Sequence, residues 1–280
     1  MRGVFLMKKF SKVFVAGIMA ASMVLFAGCG NGGDANQGTD ANASADGEAV
    51  VLKVGTNAAF RPFEYMDEDG KTPIGFDIDL INAIAADQGM TVEIHNQEFD
   101  GLTMALSNGQ IDAVIAGMSV TPERLEQVDF TDTYYDAGLS IAVAIDNEDI
   151  KSEEDLAGKV VASQQGTTGA DKCMELQEAG VVADVKILSD INICMMELAN
   201  GSVDAVVMDI PVNNKYVELH PEETKIAAQF VVPEGEEEQF AIAVAKGNTE
   251  LLDKLNTGLA NVKENGTFDE LFAKYFGTGE

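Results

Sequence analysis

The sequence contains no tryptophan, only two histidines and only three cysteines. So few cysteines exclude a disulfide-stapled scaffold, and the spacing of Cys173 and Cys194 leaves a bridge and a pair of free buried thiols both open. His95 and His220 stand far apart, with no His or Cys at ligand spacing beside them, so no metal is expected and each reads as a surface residue. Positive charge is scarce too. Eighteen Lys and Arg face 47 Asp and Glu, a formal charge of −29. A surface this acidic repels phosphate backbones and no basic stripe relieves it, so nucleic acid is excluded as a partner. For a small ligand the overall charge says little, because screening over about 8 Å leaves recognition to the charges in the pocket itself. One uninterrupted apolar stretch leads the chain, Val13 to Phe26, and it is too short for a comfortable membrane span.

That stretch has a telling setting. Arg2, Lys8, Lys9 and Lys12 precede it and Ala27-Gly28-Cys29 follows, the pattern of an export signal covering residues 1–28. The junction resembles the lipobox of bacterial lipoproteins, with Phe26 where Leu is usual. The resemblance implies that Cys29 is diacylated, becomes the mature N-terminus and anchors the protein outside the cytoplasm on the cell membrane, the lipid being the sole membrane contact. From Gly30 to Glu48 there is no large apolar residue, so 29–48 cannot build a core and reads as a flexible tether spanning roughly 25 Å.

The folded part repeats itself. Leu106-Ser107-Asn108-Gly109-Gln110-Ile111-Asp112-Ala113-Val114 returns as Leu198-Ala199-Asn200-Gly201-Ser202-Val203-Asp204-Ala205-Val206. In each copy an apolar helix stops at Asn-Gly, where Gly takes the left-handed C-cap conformation, and a buried strand follows. So long a period reads as two similar lobes rather than a solenoid. A strand is expected over Val51–Gly55, a helix from Gly75 through Ala85, a strand over Thr91–Ile94, and a helix start at Thr121-Pro122 with Pro in the first position. Ser140–Ala144 and its echo Ala241–Ala245 read as the strands that carry the chain between lobes. This gives an α/β protein of two lobes, each a sheet flanked by helices: residues 49–140 with 240–280, and residues 141–239. Two crossings make a hinge. In open α/β sheets ligands bind beyond the carboxyl ends of the strands, which directs attention to the loops at Gly117 and Asp209.

Gly75-Phe76-Asp77-Ile78-Asp79-Leu80 followed by Ile84-Ala85, together with Phe60-Arg61-Pro62-Phe63-Glu64-Tyr65, Thr121-Pro122-Glu123-Arg124 and Glu264-Asn265-Gly266-Thr267, resembles the polar amino-acid-binding family of solute-binding proteins that serve ABC importers. The resemblance covers about residues 51 to 277 and departs from the signature at Gln88. It implies a monomeric receptor, without cofactor, that closes on a free amino acid and presents it to a permease and its ATPase. Arg124 then grips the ligand's α-carboxylate, a role suited to a guanidinium fork at a helix amino end. Asp209 takes the α-ammonium, helped by the backbone at Gly117 and by Ser119. Thr167 and Thr168 offer donors to the carboxylate, and Phe60 and Phe99 sandwich the ligand side chain.

Asn57, Gln164 and Met208 occupy the positions that vary with specificity among such proteins. With no carboxylate evidently aimed at the side chain, a Lys or Arg ligand is disfavoured and a neutral polar one, glutamine- or cystine-like, is expected, unless Glu98 or Asp100 turns inward. An adaptable Met208 argues against a sharply defined pocket. An enzyme of the cyclohexadienyl dehydratase kind on the same fold would need a general acid or base that these three positions do not supply. A sensor that reports its ligand to a signalling partner is the third reading.

Overall fold

The computed structural model describes residues 50–233 and 237–277; the export signal, Cys29 and the tether lie outside the described residues. Two five-stranded sheets share one topology. In the first, Val50–Thr56 pairs in parallel with Met90–Asn96 on one side and Ala113–Val114 on the other. Ala243–Ala245 then runs antiparallel to Ala113–Val114, and Val128–Phe130 closes the edge. In the second, Val160–Gln164 lies in parallel between Asp184–Leu188 and Ala205–Asp209, with Leu139–Ala144 and Thr224–Gln229 antiparallel beyond.

The sequence repeat is the seam of this duplication. Leu106 and Leu198 are buried, Gly109 and Gly201 both adopt a φ of 68°, and each copy then delivers an aspartate to the backbone of the neighbouring parallel strand. The Asp112 carboxylate accepts from the N–H of Lys53 at 2.9 Å, and Asp204 does the same for Val160 at 2.8 Å. Their own N–H groups donate back to the carbonyls of Lys53 and Val160, each at 2.8 Å. This two-way clasp satisfies backbone groups of a central parallel strand and sets its register, so it recurs where that strand recurs.

The connection between sheets differs from the expectation. Ser140–Ala144 and Ala241–Ala245 are not themselves the crossings: they contribute to the strands Leu139–Ala144 and Ala243–Ala245, inner members of the second and first sheets. The crossing is a short antiparallel ribbon one step earlier on each pass, Tyr135–Asp136 against Gln239–Phe240. Phe63 fixes it, with its ring 4.9 Å from Tyr135 and 5.1 Å from Phe240, both edge-on.

The Gly-Phe-Asp signature positions the cleft. Gly75 adopts a φ of 135°, and a Cβ there would lie 2.1 Å from the Phe63 carbonyl oxygen, so the close approach needs glycine. The gain is a capped helix Phe76–Asp87: the N–H groups of Phe76 and Asp77 donate to the carbonyls of Pro62 and Phe63 at 3.0 and 2.9 Å. The Phe60–Glu64 segment is thereby tied to the helix. Thr249–Glu264 packs Leu255, Leu259 and Val262 against Ile81 and Ile84 of that helix, and Thr267–Phe276 brings Phe268 and Phe276 to 5.6 and 5.2 Å from Phe76. Cys173 and Cys194 are free and buried, and burial pushes both thiols up to about 12.

Candidate functional site

Beyond the carboxyl ends of the parallel strands the two lobes meet over one narrow cleft. Asn57, Phe60, Phe99, Gly117, Ser119, Arg124, Gln164, Thr167, Thr168 and Asp209 all line it, and so does Glu64. Arg124 is placed by the short helix Pro122–Gln127, whose N-cap Thr121 accepts from the Arg124 N–H at 3.2 Å. Its guanidinium donates to the Ser119 carbonyl at 2.6 Å and, across the cleft, to the Gly166 carbonyl at 2.9 Å, and stands 5.4 Å from the Phe99 ring centre. Thr167 caps the helix Thr168–Glu178: its hydroxyl donates to the Gln164 carbonyl and accepts from the Ala170 N–H, which leaves the helix amino end at Thr168 facing the cleft. The lobes also meet through Gln164 Nε2 to Asn57 Oδ1 at 2.9 Å and Gln165 Nε2 to Asp100 Oδ2 at 2.7 Å.

The cleft is electrostatically lopsided. Asp209 is buried, no protein donor reaches its Oδ1, and burial, helped by nearby Glu238, holds its carboxyl well above the usual range against the pull of Arg124. Glu64 is fully buried with neither oxygen reached by a donor; burial first, then the carboxyls of Asp77 and Asp209, raises it far above an ordinary glutamate. Asp77 differs in being held. Its Oδ2 accepts from the Gly117 N–H and the Tyr134 hydroxyl, each at 2.8 Å, but burial outweighs these bonds and brings it to about 6. Gly117 thus has its N–H engaged, so what it presents to a ligand is its carbonyl. One guanidinium faces two buried carboxyls, so the site has capacity for positive charge.

A roomier groove elsewhere, lined by Ala58, Arg61, Tyr65, Met66, Ile191 and Tyr216 among others, brings together no such buried charges; Arg61 lies 3.7 Å over the Tyr65 ring.

Residues 52–278 match the bacterial extracellular solute-binding proteins, family 3. The chain belongs to that family. It is 34% identical over 242 residues to the arginine-binding extracellular protein ArtP of Bacillus subtilis (strain 168), covering 85% of this chain and 91% of the relative. Among solved structures, an ancestral arginine-binding protein bound to arginine superposes with a TM-score of 0.76 at 44% identity, covering 81% of this chain and 98% of the other. The same description applies to an ancestral arginine-binding protein bound to glutamine, at 0.75, 44%, 81% and 98%. As a member of an extracellular family the protein works outside the cytoplasm.

Within this family frame the structure corrects the reading of the variable positions. Met208 does not line the cleft. It is fully buried in the hydrophobic core with Val206 and Val212, because the strand Ala205–Asp209 is covered on both faces and alternate residues point away from the cleft. Asn57 and Gln164 do line it but bond to each other, and the Asn57 amide also donates to the Gln97 carbonyl at 2.9 Å. Glu98 and Asp100 are exposed and do not turn in. The inward carboxylate is Glu64, which sequence reasoning passed over. Its signal was an acidic residue between the aromatics Phe63 and Tyr65, in a segment already set apart by its family-like pattern.

Proposed function

We propose that the protein is the receptor of an ABC importer for a free L-amino acid, and that the amino acid carries a cationic side chain. The observation that supports the second part is Glu64: a fully buried glutamate lining the cleft, with both oxygens free of protein donors. A ligand's α-carboxylate would meet Arg124 and the helix amino end at Thr168, and its α-ammonium would meet Asp209 and the Gly117 carbonyl. Ser119, Thr167, Phe60 and Phe99 complete the walls. A guanidinium or ammonium further along the ligand then reaches Glu64. Glu64 supplies a carboxyl in the cleft lining of the kind the neutral-ligand expectation lacked. The arginine named for ArtP and for the arginine-bound ancestral structure agrees with this reading.

A neutral polar ligand of the glutamine kind remains the second reading. It is favoured by the Asn57–Gln164 amide pair and by the glutamine-bound ancestral structure. In either case the receptor delivers to a permease and its ATPase, and Cys29 is the lipid anchor. The test is a thermal-shift screen of the purified protein against the common L-amino acids. A stabilisation led by arginine, lysine or histidine and lost in Arg124→Ala supports the proposal; one confined to neutral polar amino acids selects the second reading, and none at all refutes both. A ligand at 100 times its Kd adds about 2.7 kcal/mol. Removing one partner of a buried charge pair costs about 2–5 kcal/mol, so Arg124→Ala should weaken binding roughly thirty-fold or more.

A further inference from the structure

We propose that Glu64 carries a proton in the free cleft that a cationic ligand displaces, so that protonation of this one carboxyl selects between cationic and neutral ligands. The inference rests on the amino-acid receptor reading with its cationic preference. It begins from the pairing of Glu64 with Asp77. The two carboxyls neighbour each other in a fully buried setting, and Glu64 also feels Asp209 across the cleft. Two buried carboxylates side by side cannot both ionise readily, so the pair keeps a proton.

The hydrogen bonds decide which member holds it. Asp77 Oδ2 accepts from the Gly117 N–H and the Tyr134 hydroxyl, both of which favour its ionised form. Neither Glu64 oxygen is reached by any N–H or O–H donor of the protein, so nothing offsets its burial. Glu64 therefore takes the proton, and as a neutral acid it donates toward Asp77. The charged and titratable groups around it are Asp77 from the helix Phe76–Asp87, Tyr134 beside the crossing ribbon, Asp209 from the second sheet, and Arg124, which lines the same cleft. Arg124 is the cation in this set, and its fork is turned to the Ser119 and Gly166 carbonyls.

A ligand cation arriving at Glu64 supplies the missing partner, and the proton leaves to solvent as the carboxylate forms. A neutral amide side chain leaves the proton in place and can accept from it. Selection is then pH-dependent with a definite sign. Below the folded pKa of Glu64 the affinity for a cation falls as pH falls by up to about tenfold per pH unit more than the affinity for a neutral side chain, the dependence through Asp209 being common to both.

The experiment is isothermal titration of L-arginine and of L-glutamine into the purified protein between pH 5.5 and 8, in buffers of different ionisation enthalpy, which counts protons released. Asp209 meets the α-ammonium of both ligands, so the difference between them reports the Glu64–Asp77 pair, and Glu64→Gln isolates Glu64 within it. Arginine releasing up to one proton more than glutamine, with the extra release lost in Glu64→Gln, supports the proposal. The thermal transition of the variant checks its fold. Tight arginine binding with the same proton count as glutamine overturns the proposal while leaving the cationic reading intact. Failure of arginine to bind where glutamine does overturns both.

Discussion

The buried carboxyls make an unusual prediction for an acidic protein: without ligand it is more stable near pH 5.5 than near pH 8. Asp77 sets the scale. Its carboxyl moves from 3.8 to about 6 on folding, chiefly through burial. Between those values the folded state binds the proton more tightly than the unfolded chain does. Stability is therefore fully present below 3.8 and is lost as pH rises through about 6. A shift of about two pKa units in a fully buried group corresponds to about 3 kcal/mol over the whole span, of which about 2 kcal/mol remains at pH 4.5 and about 1 kcal/mol at pH 5.5. Glu64 and Asp209 shift in the same direction, and the loss continues toward neutrality and beyond. For a folded domain of this size the roughly 2 kcal/mol that Asp77 loses between pH 4.5 and 8.5 is about 4–8 °C in Tm. The opposite shifts belong to carboxylates nearer the surface, half-buried Asp129, which pairs with Lys246, and exposed Glu148, which pairs with Lys225; their contribution is lost only as pH falls through the acid range. The assay is urea or thermal unfolding of ligand-free protein from pH 4.5 to 8.5. A midpoint that is flat, or that rises with pH across this range, refutes the reasoning. Asp77→Asn, which removes one titrating group and keeps an acceptor for Gly117 and Tyr134, should reduce the slope between pH 4.5 and 6.5 and leave the later loss from Glu64 and Asp209.

Two further substitutions test the geometry. Gly75→Ala places a Cβ against the Phe63 carbonyl at a φ that disfavours alanine, and should lower stability by about 3 kcal/mol or more in urea unfolding, with amino-acid binding weakened through the displaced Phe60–Glu64 segment. Met208→Leu, a swap inside the core, should cost less than about 1.5 kcal/mol and leave the order of ligand preference in the thermal-shift screen unchanged; a changed order would return Met208 to the cleft.

Much of this protein was legible because local chemistry and tertiary role coincide. An Asn-Gly after an apolar helix is a stop signal wherever it occurs, so both repeats ended where they were read to end, and Thr121-Pro122 started its helix. The ten residues expected at the cleft meet there because each lies at a strand end or helix start, positions that topology sends to one side of the sheets.

What the sequence alone determined was therefore the doubled α/β architecture, the cleft's place and the presence of Arg124 and Asp209 in its lining. Only the tertiary structure decided the remainder. Met208 and Asp209 are adjacent on a strand buried on both faces, and hydrophobicity cannot say which face looks into the cleft when both are covered. The crossing ribbon is two residues a side, too short for any periodicity to register. Glu64 is decided by packing above all. A glutamate in a short hairpin is ordinarily solvated, and this one is buried because Gly75 lets the helix Phe76–Asp87 close on its segment. Burial, and not residue type, holds that carboxyl above an ordinary glutamate.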